Sequence, residues 1–112
     1  MKNLVKLLAV STLLLVLAAC AGTMQTASVL EAYKHFENKE YDKTLVLIKL
    51  AENSQEASKE KKAELTYLKA EAYSKLGQSD TAETLYKYLA EQHSDSQYGY
   101  LASQKLVAHH DG

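Results

Sequence analysis

The chain of 112 residues has no proline, no tryptophan and no arginine, and it has one cysteine and four glycines. A single cysteine has no partner within the chain, so an internal disulfide is excluded. No stretch combines clustered basic residues with aromatic ones, which argues against nucleic acid as a partner. A glycine-rich phosphate loop and a nucleophile-plus-base pattern are also missing. We therefore expect a protein that is not an enzyme and that needs neither a cofactor nor a metal.

The first residues have the composition of a secretory signal peptide. Lys2 and Lys6 precede a run over residues 7–17 that is apolar apart from Ser11 and Thr12, and two alanines follow it. A charged start, an apolar run and small residues before a cleavage site are typical of such a peptide, which we place at residues 1–19. The run is shorter than the ~20 residues of a membrane-spanning helix. The alternatives are an uncleaved helical anchor and a buried core helix.

The segment Leu17-Ala18-Ala19-Cys20 resembles the lipobox of bacterial lipoproteins. The resemblance implies a diacylglycerol on Cys20, cleavage before it and an acyl group such as palmitate on the new amino terminus. Such chains attach a protein lastingly to a membrane. Residues 20–27 then form a tether. In lipoproteins of Gram-negative bacteria, Asp after the cysteine favours retention in the inner membrane. Ala21 stands there in this chain, so in a Gram-negative host the resemblance implies a location at the periplasmic face of the outer membrane.

Residues 28–108 read as one all-α domain, because apolar residues recur at steps of three and four. Ser28 and Glu31 form a capping box for a first helix that ends at Asn38-Lys39. The second helix, residues 41–53, is apolar nearly all round, which predicts a central helix with neighbours on several sides. A buried strand is the alternative for the TLVLI segment, residues 44–48.

Further helix boundaries follow from glycine, serine and charge. The charged stretch 55–62 predicts an extension of the third helix, which ends at Gly77. Ser79 or Asp80 caps the fourth helix, which ends near residue 93. A turn over residues 94–96 supplies a new cap, and a fifth helix covers 98–108. Its inward residues are predicted to be Tyr98, Leu101, Ala102 and Leu106, and 109–112 is predicted to be a frayed tail.

The chain matches itself when it is aligned with a shifted copy of its own sequence. In the alignment that places Ala32 on Ala70, Lys39 falls on Gly77 and Ile48 on Tyr86. Small residues recur where two helices cross closely, and large ones recur where they fill the space between helices. Self-similarity at such a spacing predicts a helical repeat.

The second unit resembles a tetratricopeptide repeat (TPR). Ala70, Tyr73, Gly77, Ala82 and Tyr86 stand at the family's spacing, while Leu89 and Ser79 depart from its pattern. The resemblance covers roughly residues 28–106. Residues 93–98 also look like the joint before the next helix in bacterial envelope members, with Ser96 and Tyr98 at the expected places and Ser94 where that joint has proline. These members include the TPR lipoprotein of the β-barrel assembly machinery and the Tol-Pal-associated division coordinator. The TPR resemblance implies two helical hairpins and a closing helix, which together form an α-solenoid fragment. It also implies that the chain serves as a protein-binding adaptor.

In TPR proteins the first helices of the repeats line a groove that binds a protein or peptide. The resemblance places Tyr33, Tyr67, Glu71 and Lys75 there, although ordinary structural packing is the open alternative for these residues. Two other hypotheses remain for the whole chain: a structural homo-oligomer completed around the apolar second helix, and an accessory of a cell-wall enzyme. Glu31 with His35 is a weak metal candidate, since two ligands do not close a zinc site. His109, His110 and Asp111 could also chelate a metal, although a disordered tail is the favoured interpretation of these residues.

Overall fold

The computed structural model describes residues 27–53 and 57–110, and this part of the chain is all helical. Helix α1 covers residues 27–37 of the described chain. It is followed by α2 (Tyr41–Glu52), α3 (Lys59–Lys75), α4 (Ser79–Gln92) and α5 (Gln97–His110). The predicted all-α class is confirmed. The strand alternative for residues 44–48 is wrong, because this segment lies within α2.

Two turns of the same design join α1 to α2 and α3 to α4. The Glu40 N–H donates to the His35 carbonyl at 2.8 Å, and at the equivalent place in the second turn the Gln78 N–H donates to the Tyr73 carbonyl at 2.9 Å. In each turn the preceding residue takes a left-handed conformation that ends the helix, Lys39 with φ 63° and Gly77 with φ 82°. The two hairpins therefore repeat in the alignment that the sequence shows.

The apolar core has two parts that share α3. The first part joins α1, α2 and α3 through Val29, Ala32, Ile48, Ala51, Leu65 and Leu68. The second part joins α3, α4 and α5 through Ala63, Ala70, Ala82, Tyr86, Leu89 and Ala102. Each of the helices α2 to α5 packs on its neighbour in sequence, and α3 also contacts α5. This is the arrangement of a helical repeat, in which each unit buries its apolar face on the next.

The second helix is less buried than its composition predicts. Thr44, Ile48 and Ala51 are buried, but Val46 is 62% exposed and Leu50 is 57% exposed. The prediction of a central helix with neighbours on several sides is therefore wrong. Within the described residues, α2 packs through one face, and its opposite side exposes Val46 and Leu50 beside charged residues.

Two predicted helix starts are corrected by the backbone. Ala27 is already helical, so Ser28 lies inside α1 and is not its cap. Helix α3 begins later than predicted, because the Ser58 side chain accepts a hydrogen bond from the Lys61 N–H at 3.1 Å and caps it there. Residues 54–56, which include the start of the predicted extension, lie outside the described residues.

Helix α4 starts without a side-chain cap. Its N-cap residue is Gln78, which makes no capping hydrogen bond, and Ser79 and Asp80 lie in the first helical turn. The predicted cap at Ser79 or Asp80 is therefore wrong. Because the hairpin turn already fixes the backbone at Gln78, the helix forms from this residue as α2 does from Glu40.

The joint between α4 and α5 agrees with the sequence at its start and differs further along. The Ser96 hydroxyl accepts a hydrogen bond from the Tyr98 N–H at 3.1 Å, so the predicted turn and cap are confirmed. Helix α5 then continues to His110, so the frayed tail predicted from residue 109 is wrong for His109 and His110. Leu101, predicted to face inward, is 39% exposed.

The predicted signal peptide, lipobox and most of the tether fall on residues 1–26, which lie outside the described residues. Of the helices in the described ranges, none has the length and apolar character needed to cross a membrane.

Candidate functional site: a tyrosine surface across α1, α3 and α5

Tyr33, predicted to line a groove, reaches from α1 to α3. Its hydroxyl donates a hydrogen bond to Glu64 Oε1 at 2.8 Å. The other oxygen of the same carboxylate accepts from Lys61 Nζ at 2.6 Å. The Glu64 side chain is only 17% exposed, so both of its oxygens are held by named partners in a half-buried position. Two first helices of successive hairpins are thereby joined at their polar edge.

Glu71 joins α3, α4 and α5 through polar contacts, as Glu64 joins α1 and α3. Its Oε1 accepts from the Tyr86 hydroxyl of α4 at 2.5 Å and lies 3.1 Å from Lys105 Nζ of α5. The Glu71 side chain is 18% exposed. Tyr86 itself is 1% exposed, so it belongs to the core and presents only its hydroxyl to this carboxylate.

Tyr67 lies between these two carboxylates on α3 and is flanked by aromatic rings. Its ring centroid is 6.0 Å from that of Tyr86 and 5.9 Å from that of Tyr98, both in tilted orientations. Aromatic pairs at such distances attract each other beyond the area they bury. We call the surface formed by Tyr33, Glu64, Tyr67, Glu71 and Tyr98 the tyrosine surface.

Burial and the nearby carboxylates keep the tyrosine hydroxyls protonated. Desolvation, followed by the charge of Glu71 and a hydrogen bond to it, raises the pKa of Tyr67 from 10.0 to about 12. Desolvation and the hydrogen bond to Glu64 raise the pKa of Tyr33 strongly, and desolvation and Glu71 do the same to the pKa of Tyr86. These hydroxyls are therefore donors at neutral pH, and the surface has no activated nucleophile among them.

Lys75 extends the same face of α3. Residues 67, 71 and 75 follow one another at steps of four in a continuous helix, so their side chains share a face. The side chain of Lys75 is exposed, and no described residue forms a hydrogen bond or ion pair with that side chain. Of the four predicted groove residues, Tyr33 is thus bonded to Glu64, Tyr67 and Glu71 both contact Tyr86, and Lys75 lies beyond them on the same face of α3.

Sequence reasoning missed Glu64, Tyr98 and Lys105. A signal for Glu64 was present, because it stands three residues before Tyr67 on the same helical face. Lys105 had no comparable signal, since its contact with Glu71 spans two helices and depends on how α5 docks. Tyr98 was predicted only as an inward-facing residue of the fifth helix.

The other candidate residues form local contacts. His35 lies 3.2 Å from Glu40 and 3.8 Å from Glu31 through different ring nitrogens, as in a surface charge cluster. Across the described ranges, no group of three or more histidine, cysteine, aspartate or glutamate side chains is placed to hold a metal ion. His93 is buried where α4 ends, and its ring lies 5.5 Å from that of Tyr88.

Comparison with protein-family models, curated proteins and solved structures found no match to this chain. The interpretation of the site therefore depends on its own geometry. That geometry offers aromatic rings and two carboxylates on a rigid helical framework, with lysines beside them. Such a surface can recognise another chain by stacking, by hydrogen bonding and by charge.

Proposed function

We propose that this chain is a membrane-anchored, TPR-like lipoprotein that acts as a protein-binding adaptor or scaffold in the bacterial cell envelope. The observation that carries the proposal is the tyrosine surface. Three helices that are not neighbours in sequence contribute to it, and hydrogen bonds between helices fix its side chains before any partner arrives. Rigid tyrosine side chains lose little conformational entropy on binding, which suits them to recognition.

The TPR assignment is supported by positions that the family pattern marks. Ala70 is fully buried, Ala82 and Tyr86 are each 1% exposed, and Gly77 has positive φ. Small buried residues allow helices to cross closely, and the glycine ends the first helix of a hairpin. The first hairpin repeats the design with Lys39 in place of glycine, which explains why its sequence match is weaker.

The envelope address is a proposal from the sequence alone, since Cys20 lies outside the described residues. Lipid on Cys20 and export to the outer membrane of a Gram-negative host follow from the lipobox resemblance and Ala21. The test is metabolic labelling with a lipid precursor in the wild type and in Cys20→Ala. We expect label in the wild type only, and unprocessed precursor in the variant. A Cys20→Ala protein that is still cleaved and labelled would refute the address.

The chemistry of the surface favours a peptide or protein ligand with apolar and basic side chains. The tyrosine rings pack against the two core clusters and remain partly exposed, and the exposed part of each ring offers contact area. Glu64 and Glu71 are paired with Lys61 and Lys105, both of which are more exposed than the acids. A basic ligand side chain can replace either lysine without leaving a half-buried carboxylate unpaired.

The adaptor proposal is tested by chemical crosslinking and pull-down of the full, lipidated protein from its own membranes. We compare the wild type with Lys75→Glu, which reverses the free charge at the end of the tyrosine surface. The matched control is Lys49→Glu, the same change at an exposed position on α2, away from the surface. A stoichiometric partner that is recovered in greater amount with Lys75→Glu, because the added carboxylate attracts a basic ligand, and in unchanged amount with Lys49→Glu supports the adaptor. Self-crosslinks alone, equal in all three proteins, contradict it.

A structural homo-oligomer is a second candidate, and the open face of α2 favours it. Val46 and Leu50 are apolar and more than half exposed in a helix that the sequence marks as buried. If this face is covered in an oligomer, the melting temperature of the protein depends on its concentration. A melting temperature unchanged over about a hundredfold dilution, the range that resolves mass action, would exclude the obligate form.

A further inference from the structure

Helix α5 repeats the burial pattern of α3 on one side only. A second alignment shifts the chain against itself by about 34 residues, the usual length of a TPR unit. It places Leu65 on Gly99 and Leu68 on Ala102, and all four residues are buried. Ala72 likewise falls on Leu106, which packs against the second core cluster. These positions form the face by which each helix meets the hairpin before it. Helix α5 therefore packs on the preceding hairpin through the same positions that α3 uses.

Among the described helices, none covers the other side of α5 as α4 covers α3. In α3, Ala63 and Ala70 are buried and Tyr67 and Tyr73 pack against the core that α4 completes. The same alignment maps them onto four exposed residues of α5, namely Gln97, Gln104, Leu101 and Val107. Tyr100 and Ala108 are exposed on the same side. Helix α5 is thus the first helix of a hairpin whose second helix is absent from the described chain.

Among the described residues, this open face of α5 has no charged side chain. Its six residues are two glutamines, a tyrosine, a leucine, a valine and an alanine. Tyr100 is 62% exposed and Val107 is 61% exposed. The nearby cation, Lys105, pairs with Glu71 of α3. A neutral, largely apolar face meets no electrostatic repulsion from an identical face, so it is compatible with a second copy of the chain.

The order of residues along the face is also self-complementary. When two copies of α5 run antiparallel with a two-fold axis at Gln104, each Tyr100 meets the partner's small Ala108. Each Leu101 then meets the partner's Val107, and the two Gln104 amides meet each other. An amide carries both donors and an acceptor, so it can hydrogen-bond to its own copy. A contact of this kind uses the same surface on both molecules, as two-fold dimers do.

We propose that the chain forms an antiparallel two-fold dimer in which α5 packs on α5 of a second copy. The second copy occupies the place that α4 holds against α3. The inference depends on the helical fold and does not require the adaptor proposal. It also uses a surface different from the open face of α2. One helix from each molecule gives an interface below roughly 1,200 Å², so we expect a weak, reversible dimer. Confinement to a membrane would raise its population.

Disulfide trapping tests the geometry directly. Gln104→Cys is made in the full chain carrying Cys20→Ala, so the introduced thiol is the only one. The matched control is Thr84→Cys, an exposed position on α4 in the same background. Under mild oxidation we expect the Gln104→Cys homodimer to form at least tenfold faster. Equal rates at the two positions would overturn the proposal, because association through another segment would not select position 104.

Mixed trapping distinguishes antiparallel from parallel contact. Leu101→Cys and Val107→Cys proteins in that background are oxidised separately and together. The proposed dimer brings residue 101 of one copy to residue 107 of the other, so the mixed disulfide should dominate. Predominant 101–101 or 107–107 disulfides would contradict the antiparallel arrangement.

A charge variant provides a measurement without covalent trapping. Sedimentation equilibrium of the full chain in excess detergent is compared with Val107→Lys and with Val46→Lys. Both valines are about equally exposed, 61% and 62%, so neither change should unfold the chain. We expect Val107→Lys to raise the dimer dissociation constant at least tenfold and Val46→Lys to leave it unchanged. The reverse pattern would assign the dimer to α2 and refute the α5 interface.

Discussion

Lys39 and Gly77 occupy the same place in two successive hairpins, and both have positive φ, 63° and 82°. Among the described residues, Lys39 is the only non-glycine residue with this conformation. The hydrogen bonds that close the two turns match donor for donor. The repeat is therefore present in the backbone even where the side chains have diverged, and the lysine keeps a glycine conformation at an energetic cost.

Substitutions at Lys39 and Gly77 test the energetic cost of the left-handed conformation. We expect Lys39→Gly to stabilise the protein by about 0.5–1 kcal/mol, because relief of the left-handed strain exceeds the entropy lost by glycine. Gly77→Lys should destabilise it by about 1 kcal/mol through the backbone alone, since a Cβ at Gly77 meets no atom within 4 Å. Urea unfolding measures both changes. Asn38→Gly is the control, and it should not stabilise. If Lys39→Gly destabilises the protein as well, the left-handed backbone conformation of Lys39 is not strained.

Gly99 allows α5 to touch the end of α4. A Cβ at this position would lie 1.9 Å from the His93 carbonyl oxygen and 3.0 Å from that of Leu89. Both atoms belong to the backbone, so no side-chain rotation relieves the clash. We expect Gly99→Ala to destabilise the protein by about 1–3 kcal/mol or more. Gln97→Ala, at an exposed site in the same helix, should stay within about 0.5 kcal/mol in the same thermal or urea measurement. Similar values for both variants would refute the close contact.

The hydroxyl of Tyr86 is the buried donor to Glu71. Tyr86→Phe keeps the ring in the core and removes this hydrogen bond, which should cost about 1.5–3 kcal/mol because the acceptor is charged. Tyr100→Phe changes an exposed tyrosine and should cost less than about 0.5 kcal/mol. A double-mutant cycle with Glu71→Gln measures the coupling of the pair. Zero coupling between residues 86 and 71 would show that the bond does not contribute.

The raised pKa of Tyr67 makes stability depend on pH in the alkaline range. Its pKa is 10.0 in a free side chain and about 12 in the fold. The unfolded chain therefore loses this proton first as pH rises. The stabilisation is complete below pH 10 and is lost between pH 10 and about 12. We expect unfolding free energy to fall less steeply in this window for Tyr67→Phe than for the wild type. Identical slopes would contradict the burial of this hydroxyl.

The hairpin turns could be predicted from sequence because their chemistry is local. Gly77, its preceding helix and the alignment of Lys39 with Gly77 place both turns without knowledge of tertiary contacts. The fifth helix was found in the same way from the serine turn before it. The caps at Ser28, Ser79 and Asp80 were wrong, because a suitable residue type does not show which backbone position starts the helix.

What could not be predicted depends on which helices meet. The composition of α2 suggested burial on all sides, yet Val46 and Leu50 are exposed, because the described chain offers that helix partners on one face only. Tyr33, Tyr67 and Glu71 were identified by the TPR resemblance, but their partners Glu64, Tyr98 and Lys105 come from the docking of other helices. Sequence spacing defines a helical face, while the identity of its neighbour is a property of the fold.

The most direct test of the adaptor account is photocrosslinking in native membranes. A photoreactive amino acid replaces Lys75 at the free end of the tyrosine surface, or Lys49 on α2 as the control, in the full lipidated chain. The account predicts one dominant heterologous adduct from position 75, absent at position 49 and reduced by Tyr67→Phe together with Glu71→Gln. The same adducts from both positions, or none but a second copy of the chain at position 75, would contradict it.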